Sequence, residues 1–285
     1  MARTLHNLQV LRAYAAISVA YFHLFTPVFN VGRFGVDVFF VISGFIMSLV
    51  CFSRPEHFLS RRIIRIVPIY WIYTLALFTV SVLAPALLKS VTPSLPNLLR
   101  SLLFIPYVKE NGLVNPLVPP GWTLNYEMYF YVLVAFCIPI FRPRLATLAA
   151  SALMVAIGAT LRWKESGPIA AFYADSIIGE FCLGVAAFWL WQWNPTVRPV
   201  AGVLTSLILL SGLALILSEY FHVEARIPTG RFAAFGLPAL VLVLSSLFLE
   251  RSRKIASRAL LLVGDASYSL YLSHMFVIEF MGREE

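Results

Sequence analysis

Apolar runs of about twenty residues recur along the whole chain, and they constrain its fold more than any other feature. A helix needs roughly twenty consecutive apolar residues to cross the hydrocarbon core of a bilayer. Windows of this kind fall at 8–29, 34–52, 66–88, 122–141, 145–162, 170–193, 200–218, 232–249 and 260–281. The chain is 60% hydrophobic and 13% charged, with a mean hydropathy of +0.82, so it is far more apolar than ordinary soluble domains. We therefore expect an all-α, polytopic transmembrane bundle.

The distribution of positive charge predicts a topology. Cytoplasmic loops carry an excess of Lys and Arg, and the densest cationic loops lie at 53–65, 141–144, 194–199 and 250–258. All four are cytoplasmic if the N-terminus is cytoplasmic and residues 98–121 add no crossing. That stretch has a short apolar part and a tail rich in Pro, Gly and Asn. We expect nine full crossings plus a re-entrant or interfacial segment around 98–121, although hydropathy alone allows ten.

Charge and cysteine content exclude several classes of function. The net charge of +8 sits in short loops between apolar runs, which indicates membrane topology and no nucleic-acid partner. Cys51, Cys137 and Cys182 lie inside apolar windows without metal-ligand or C-x-x-C spacing. We therefore expect no disulfide framework, no metal site and no permanently bound cofactor.

Two residues that are energetically costly to place in a membrane lie in the first apolar run, LRAYAAISVAYFH. Arg12 and His23 are eleven residues apart, which is about three helical turns, so their side chains share one face about 16 Å apart along the axis. Arg12 is either a snorkelling anchor or a functional cation. His23 is either a wetted helix-end residue or a functional imidazole, and the shared stripe favours function.

Two acidic residues are expected at about the depth of His23. Asp37 lies in the first turn of the second run, where it either complements the helix dipole or orients an imidazole for general-base chemistry. Glu127 lies about one turn inside the fourth run, and a carboxylate in hydrocarbon normally faces a polar interior. Its neighbours Trp122 and Tyr126 are also typical of an interfacial aromatic belt.

A pair of arginines begins the third run. Arg62 and Arg65 in RRIIR are three residues apart, so on a helix they project from neighbouring positions of one face. Guanidinium groups bind phosphate oxygens in pairs, which predicts a phosphate-bearing donor on the cytoplasmic side. A topology signal or a contact with anionic lipid explains the pair equally well from composition alone.

Further polar residues interrupt the later runs. Glu180 is expected to lie deeper than Asp175, and five helical steps place the two about 140° apart. Ser267, Tyr271 and His274 follow one another at i, i+4 and i+7, a polar stripe on an otherwise apolar helix. The stripe either faces a substrate or makes interhelical hydrogen bonds.

Six blocks in this order resemble the membrane-bound acyltransferase-3 family, in particular its exopolysaccharide-production branch of O-acetyltransferases. The blocks are LQVLRAYAAISVAYFH, FGVDVFFVISGF, FLSRRIIRIVPIYW, PGWTLNYEMYFY, GEFCLGV and GDASYSLYLSH, and they span essentially the whole chain. The family's motifs are matched by residues of this sequence: R-x10-H by Arg12 and His23, R-x-x-R by Arg62 and Arg65, GVD by Asp37, and W-T-L-x-x-E by Trp122 and Glu127.

The resemblance implies a single membrane acyltransferase domain over residues 1–285, in a bacterial cytoplasmic (inner) membrane. Such an enzyme takes an acyl group, expected to be acetyl, from cytoplasmic acyl-CoA. It transfers this group to a sugar hydroxyl of a surface or exported polysaccharide, or of its lipid-linked precursor. Family members often continue beyond the last histidine-bearing helix, so we expect a short final span here.

The implied residue roles complete this hypothesis. His23, oriented by Asp37 or Glu127, acts as general base or briefly carries the acyl group. The CoA phosphates bind the arginine pair of the third run, and Arg12 guides the pantetheine arm, whose extended length is comparable to the distance from Arg12 to His23.

Two other classes of protein remain open from the sequence. A transporter or flippase of a lipid-linked saccharide also places charges and aromatic side chains inside a bundle. A regulatory membrane protein that only senses acyl-CoA is the second alternative.

Overall fold

The computed structural model describes residues 5–25, 31–84, 94–109, 112–164, 167–193, 200–226, 230–252, 254 and 257–280. Within these ranges the chain forms eleven α-helices: α1 His6–Phe25, α2 Gly35–Ser53, α3 Phe58–Leu83, α4 Leu95–Leu102, α5 Trp122–Ile140, α6 Pro143–Trp163, α7 Pro168–Tyr173, α8 Ile178–Trp193, α9 Ala201–Tyr220, α10 Leu237–Leu249 and α11 Arg258–Phe280. A π-helical turn, Phe232–Gly236, leads into α10.

Nine helical segments among the described residues are long and apolar enough to cross a membrane, which confirms the all-α polytopic prediction. Two of them, Pro168–Trp193 and Phe232–Leu249, join α7 to α8 and the π-helical turn to α10. The outer faces of the spanning segments carry large apolar side chains such as Leu83, Leu209 and Leu210, as lipid-facing helices do. Helix α3 begins eight residues before the 66–88 window, because its first turns hold arginines whose long side chains reach water at a helix end. The cationic loop at 194–199 lies outside the described residues.

The contacts divide the chain into two compact units. Unit 1 comprises Met1–Ser53 and Ser176–Tyr268, and unit 2 comprises Arg54–Asp175 and Ser269–Glu285. Helix α11 therefore contributes its first part to unit 1 and its second part to unit 2.

The centre of unit 1 is a close pairing of α2 and α8. A Cβ on Gly44 would overlap the backbone of Phe181, and a Cβ on Gly184 would overlap that of Val41. Small residues allow this approach of two helix backbones in a membrane. Phe45 packs against Phe188 a short way along, with ring centroids 5.9 Å apart.

Three helices of unit 1 run in the same direction. Phe40 pairs with Phe181 at 4.8 Å, so the residue numbers along α2 and α8 rise together toward the Phe45–Phe188 pair. The entry to α10 packs against the start of α8, since a Cβ on Gly179 would contact Phe232. The first turns of α2 and α8 and the segment entering α10 therefore lie at the same end of unit 1.

In unit 2, α3 and α5 run antiparallel. Gly121, just before α5, lies against the ring of Tyr70 in the middle of α3. Tyr131, further along α5, pairs with Phe58 at the start of α3, with ring centroids 6.3 Å apart. Helix α5 therefore begins level with the middle of α3.

The described residues of the segment before α5 add no crossing. Helix α4 has eight residues and is about 12 Å long, far less than the roughly 30 Å of hydrocarbon. Its end is fixed to α3 by a 2.9 Å hydrogen bond from the Trp71 indole to the Leu102 carbonyl. The Leu117 amide then donates to the Ser101 hydroxyl at 3.0 Å, so the segment folds back on itself. This arrangement is the one expected around residues 98–121.

Candidate functional site

Arg12 and His23 lie on the same unbroken helix, α1, as the spacing predicts. Both are half-buried. Arg12 donates from Nη1 to Oε1 of Gln9 at 2.8 Å, and the Gln9 amide donates to the carboxylate of Asp265 in α11. The guanidinium is therefore fixed by a side-chain relay that sequence analysis did not identify.

The ring of His23 contacts that of Phe22 edge to face, with centroids 4.9 Å apart. The guanidinium of Arg33 lies over the Phe22 ring, 5.7 Å from its centroid. This distance is typical of a cation–π contact. The described residues just before α2 thus lie against the turn that carries the histidine.

Glu219 fixes the two residues Gly32 and Arg33 before α2 from the end of α9. Its fully buried carboxylate accepts hydrogen bonds from the amide of Gly32 at 2.8 Å and from the amide and Nε of Arg33 at 2.9 and 3.0 Å. Arg33 also donates to Glu224 at 2.7 Å. We call these residues the Arg33 clamp. Sequence analysis missed it, although an acid at the end of an apolar run was a usable signal.

Asp37 is fully buried, and Arg231 binds both of its carboxylate oxygens. The Nε and Nη2 atoms of Arg231 donate to Oδ1 and Oδ2, each at 2.9 Å. Sequence analysis expected Asp37 to orient His23 and did not identify Arg231. The role of Asp37 toward His23 stays a prediction, and the partner that the structure shows is Arg231.

Glu180 lies beside this ion pair. It is fully buried and interacts with Asp37, whereas Asp175 is exposed. That Glu180 lies deeper in the membrane than Asp175 stays a prediction. The helical count of five steps between the two acids is wrong. The chain leaves helical geometry between α7 and α8, so the 140° separation does not apply.

The arginine pair lies in the first two turns of α3, in unit 2. Arg62 is half-buried and Arg65 is exposed. Arg62 lies within electrostatic range of Tyr131 and Glu127, and its buried Nε has no hydrogen-bond partner in the described part of the chain. Glu127 accepts a 3.1 Å hydrogen bond from the Tyr131 hydroxyl. The structure therefore groups Glu127 with the arginine pair.

The aromatic residues at the start of α5 mainly hold unit 2 together. Tyr126 stacks on Phe172 with ring centroids 4.1 Å apart, and its hydroxyl donates to the carbonyl of the same residue. Trp122 packs edge-on against Tyr126 at 5.9 Å. These contacts explain both residues as packing groups, and a substrate role stays a prediction.

The polar stripe of α11 faces inward, since Ser267, Tyr271 and His274 are all buried. The Tyr271 hydroxyl donates to the Pro120 carbonyl at 3.3 Å, which ties α11 to the entry of α5. Nδ1 of His274 lies 2.6 Å from the Tyr271 carbonyl. Since a carbonyl only accepts, this nitrogen carries the proton. The Tyr271–Pro120 contact favours the interhelical interpretation of the stripe.

A bundle of apolar helices with ionisable side chains buried in it defines an integral membrane protein with a polar interior. A family model described as an acyltransferase domain, Acyl_transf_3, matches residues 5–283. The chain belongs to this acyltransferase family, and it is a membrane O-acyltransferase.

Two relatives illustrate the similarity. The chain is 34% identical to the exopolysaccharide production protein ExoZ of Rhizobium meliloti over 279 residues, covering 90% of this chain and 79% of the relative. It is 26% identical to the O-acetyltransferase OatA of Staphylococcus aureus over 320 residues, covering 98% of this chain and 51% of the relative. The chain therefore spans about half the length of OatA. No solved structure matches the chain.

Proposed function

We propose that this enzyme transfers an acyl group, most simply acetyl, from acyl-CoA to a sugar hydroxyl of an exported polysaccharide or of its lipid-linked precursor. The observation that carries the proposal is the course of α1. One continuous helix places an anchored guanidinium, Arg12, about 16 Å from an imidazole, His23. An extended pantetheine arm is of comparable length. The relatives named for exopolysaccharide production and O-acetyl transfer support the acceptor and donor classes.

Arg62 and Arg65 bind the donor phosphates in this proposal. Arg62 brings a half-buried guanidinium whose Nε lacks a hydrogen-bond partner within the described ranges, and a buried donor left without a partner is costly. A phosphate oxygen supplies the missing acceptor, and paired guanidinium groups match its geometry. Arg12 then contacts the pantetheine arm.

His23 performs the proton transfer. Its imidazole removes the proton from the acceptor hydroxyl as the oxygen attacks the thioester carbonyl carbon, and the carbon–sulfur bond breaks. The proton passes to the departing CoA thiolate, so the products are a sugar ester and the CoA thiol. In the covalent variant the imidazole takes the acyl group first and then passes it to the hydroxyl. Asp37 orients the ring in either case.

We place the enzyme in the bacterial cytoplasmic membrane with its N-terminus in the cytoplasm. The cationic connection at 53–65 supports this orientation by the positive-inside rule. It puts the arginines of α3 on the side where acyl-CoA is present.

Purified protein in lipid nanodiscs, incubated with acetyl-labelled acetyl-CoA and candidate glycans, tests the proposal. We expect alkali-labile label in the glycan and one CoA thiol released for each ester formed. Movement of a lipid-linked saccharide without ester formation identifies a flippase. Saturable acyl-CoA binding without transfer to any glycan identifies a sensor, and either result overturns the proposal.

A further inference from the structure

Three ionisable side chains meet at one end of unit 1. Asp37 comes from the first turn of α2, Glu180 from the first turn of α8, and Arg231 from the segment that enters α10. Both acids are fully buried, and 25% of the Arg231 side chain is exposed. We call these residues the acid pair cluster. Sequence analysis gave the acids separate roles, so their meeting is a property of the fold.

The contacts in this cluster are specific. The Arg231 guanidinium forms a two-pronged ion pair with Asp37, with both N–O distances at 2.9 Å. This is the strong geometry for a guanidinium and an ionised carboxylate. The Glu180 side chain interacts with that of Asp37. Asp37 therefore interacts with a cation and with a second acid.

The charge balance of the cluster determines how many protons it holds. Two ionised carboxylates and one guanidinium sum to −1. An ionised carboxylate only accepts hydrogen bonds, so two acids bond to each other only when one of them carries a proton. With one proton the cluster is neutral, and a neutral cluster avoids the large cost of an uncompensated charge in a buried site.

We propose that the cluster holds one proton on Glu180, which donates it to Asp37, and that Arg231 is the positioning residue for Asp37. The proton belongs on Glu180 because both Asp37 oxygens already accept from the guanidinium, which favours the ionised form there. The π-helical turn supports this arrangement, since Gly236 lies directly against Glu180 and a Cβ there would come within 3.2 Å of Cγ. Turns of this kind are frequent at functional sites.

The proton assignment is independent of the proposed function. The positioning role of Arg231 rests on the proposed function, because this role presumes that Asp37 belongs to the reaction site. Asp37 held by two hydrogen bonds keeps one orientation. Without Arg231, a buried carboxylate loses its cation and either moves or takes up a second proton.

Infrared spectroscopy of the protein in nanodiscs tests the proton assignment directly. We expect a carbonyl stretching band of a protonated carboxylic acid that disappears in Glu180→Gln and persists in Asp175→Asn, the matched change of an exposed acid. In Asp37→Asn the band also disappears, because Glu180 then ionises and pairs with Arg231. A band that survives Glu180→Gln, or no such band in the wild type, overturns the assignment.

Acyl-transfer kinetics test the positioning role. Arg231→Met is expected to lower kcat on the order of 100-fold, the effect of misplacing a group by about 1 Å, with KM for acyl-CoA unchanged. Arg231→Lys keeps the charge and restores part of kcat. Wild-type kcat in Arg231→Met, or a loss that Arg231→Lys does not lessen, overturns this role. If Arg231→Met does not fold, the Arg231→Lys kinetics decide whether Arg231 has the positioning role. A wild-type protein that transfers no acyl group contradicts the proposed function but does not affect the infrared test of the proton assignment.

Discussion

Tyr131 donates a 3.1 Å hydrogen bond to Glu127 one helical turn earlier in α5, and both side chains lie within electrostatic range of Arg62. Glu127 is thus an internal anion beside the guanidinium that we assign to the donor phosphates. A bound phosphate and the Glu127 carboxylate therefore compete for the positive charge of Arg62.

Glu127→Gln is therefore expected to tighten acyl-CoA binding. The gain is up to about fivefold, since the attraction between two opposite charges open to solvent contributes roughly 1 kcal/mol at most. The measurement is the Kd of a non-hydrolysable acyl-CoA analogue. Glu56→Gln is the matched control, because Glu56 is exposed and pairs with Arg61 at 3.8 Å. Equal or weaker binding by Glu127→Gln argues against the competition.

Replacing the arginine pair should weaken the same binding. Arg62→Ala and Arg65→Ala each remove charge-assisted hydrogen bonds worth about 1.5–3 kcal/mol, which corresponds to roughly a 10- to 100-fold higher Kd. Arg62→Lys should restore only part of the loss, because an ammonium does not make the two-pronged contact. Arg61→Ala is the control, and an equally large effect there would indicate a general electrostatic attraction.

The Arg33 clamp should contribute to stability. Glu219→Gln replaces a buried carboxylate that accepts three hydrogen bonds with a neutral amide that has one acceptor oxygen. We expect a loss of about 3 kcal/mol in unfolding free energy, measured by thermal unfolding in detergent. Glu224→Gln, which removes a single bond at a partly exposed site, should cost less. A larger loss of unfolding free energy in Glu224→Gln than in Glu219→Gln would contradict the stabilising role of the Arg33 clamp.

The contact between α2 and α8 predicts a contrast between glycines. Gly44→Ala forces a methyl group into the Phe181 backbone and should destabilise unit 1 by about 1–3 kcal/mol. At Gly212 in α9, an added Cβ meets no described atom within 4 Å, so Gly212→Ala should be neutral or stabilising by up to about 1 kcal/mol. Comparable melting temperatures for both variants would show that the close approach is not required.

The positions of the spanning helices follow from the sequence because hydropathy is a local property. The same holds for the alignment of Arg12 with His23, which needs only the helical period. The short α4 also follows, since its apolar run is too short to span.

The partners of the buried charges do not follow from local pattern. Arg231 pairs with Asp37 across 194 residues, and Glu219 binds Arg33 across 186. Such pairs depend on which helices pack against one another, and a single sequence does not show which helices are neighbours. The break between α7 and α8 was missed for a related reason, because continuous hydropathy conceals a local departure from the helix.

The central claim is that His23 performs the acyl transfer, and the most direct measurement is the initial rate of labelled acetyl transfer by His23→Ala in nanodiscs. We expect the rate to fall by about 100- to 10,000-fold, as for loss of a general acid–base group, while acyl-CoA binding and thermal unfolding stay as in the wild type. His222→Ala, a change of an exposed histidine, should keep the wild-type rate. A folded His23→Ala enzyme that acetylates the glycan at the wild-type rate would contradict the account.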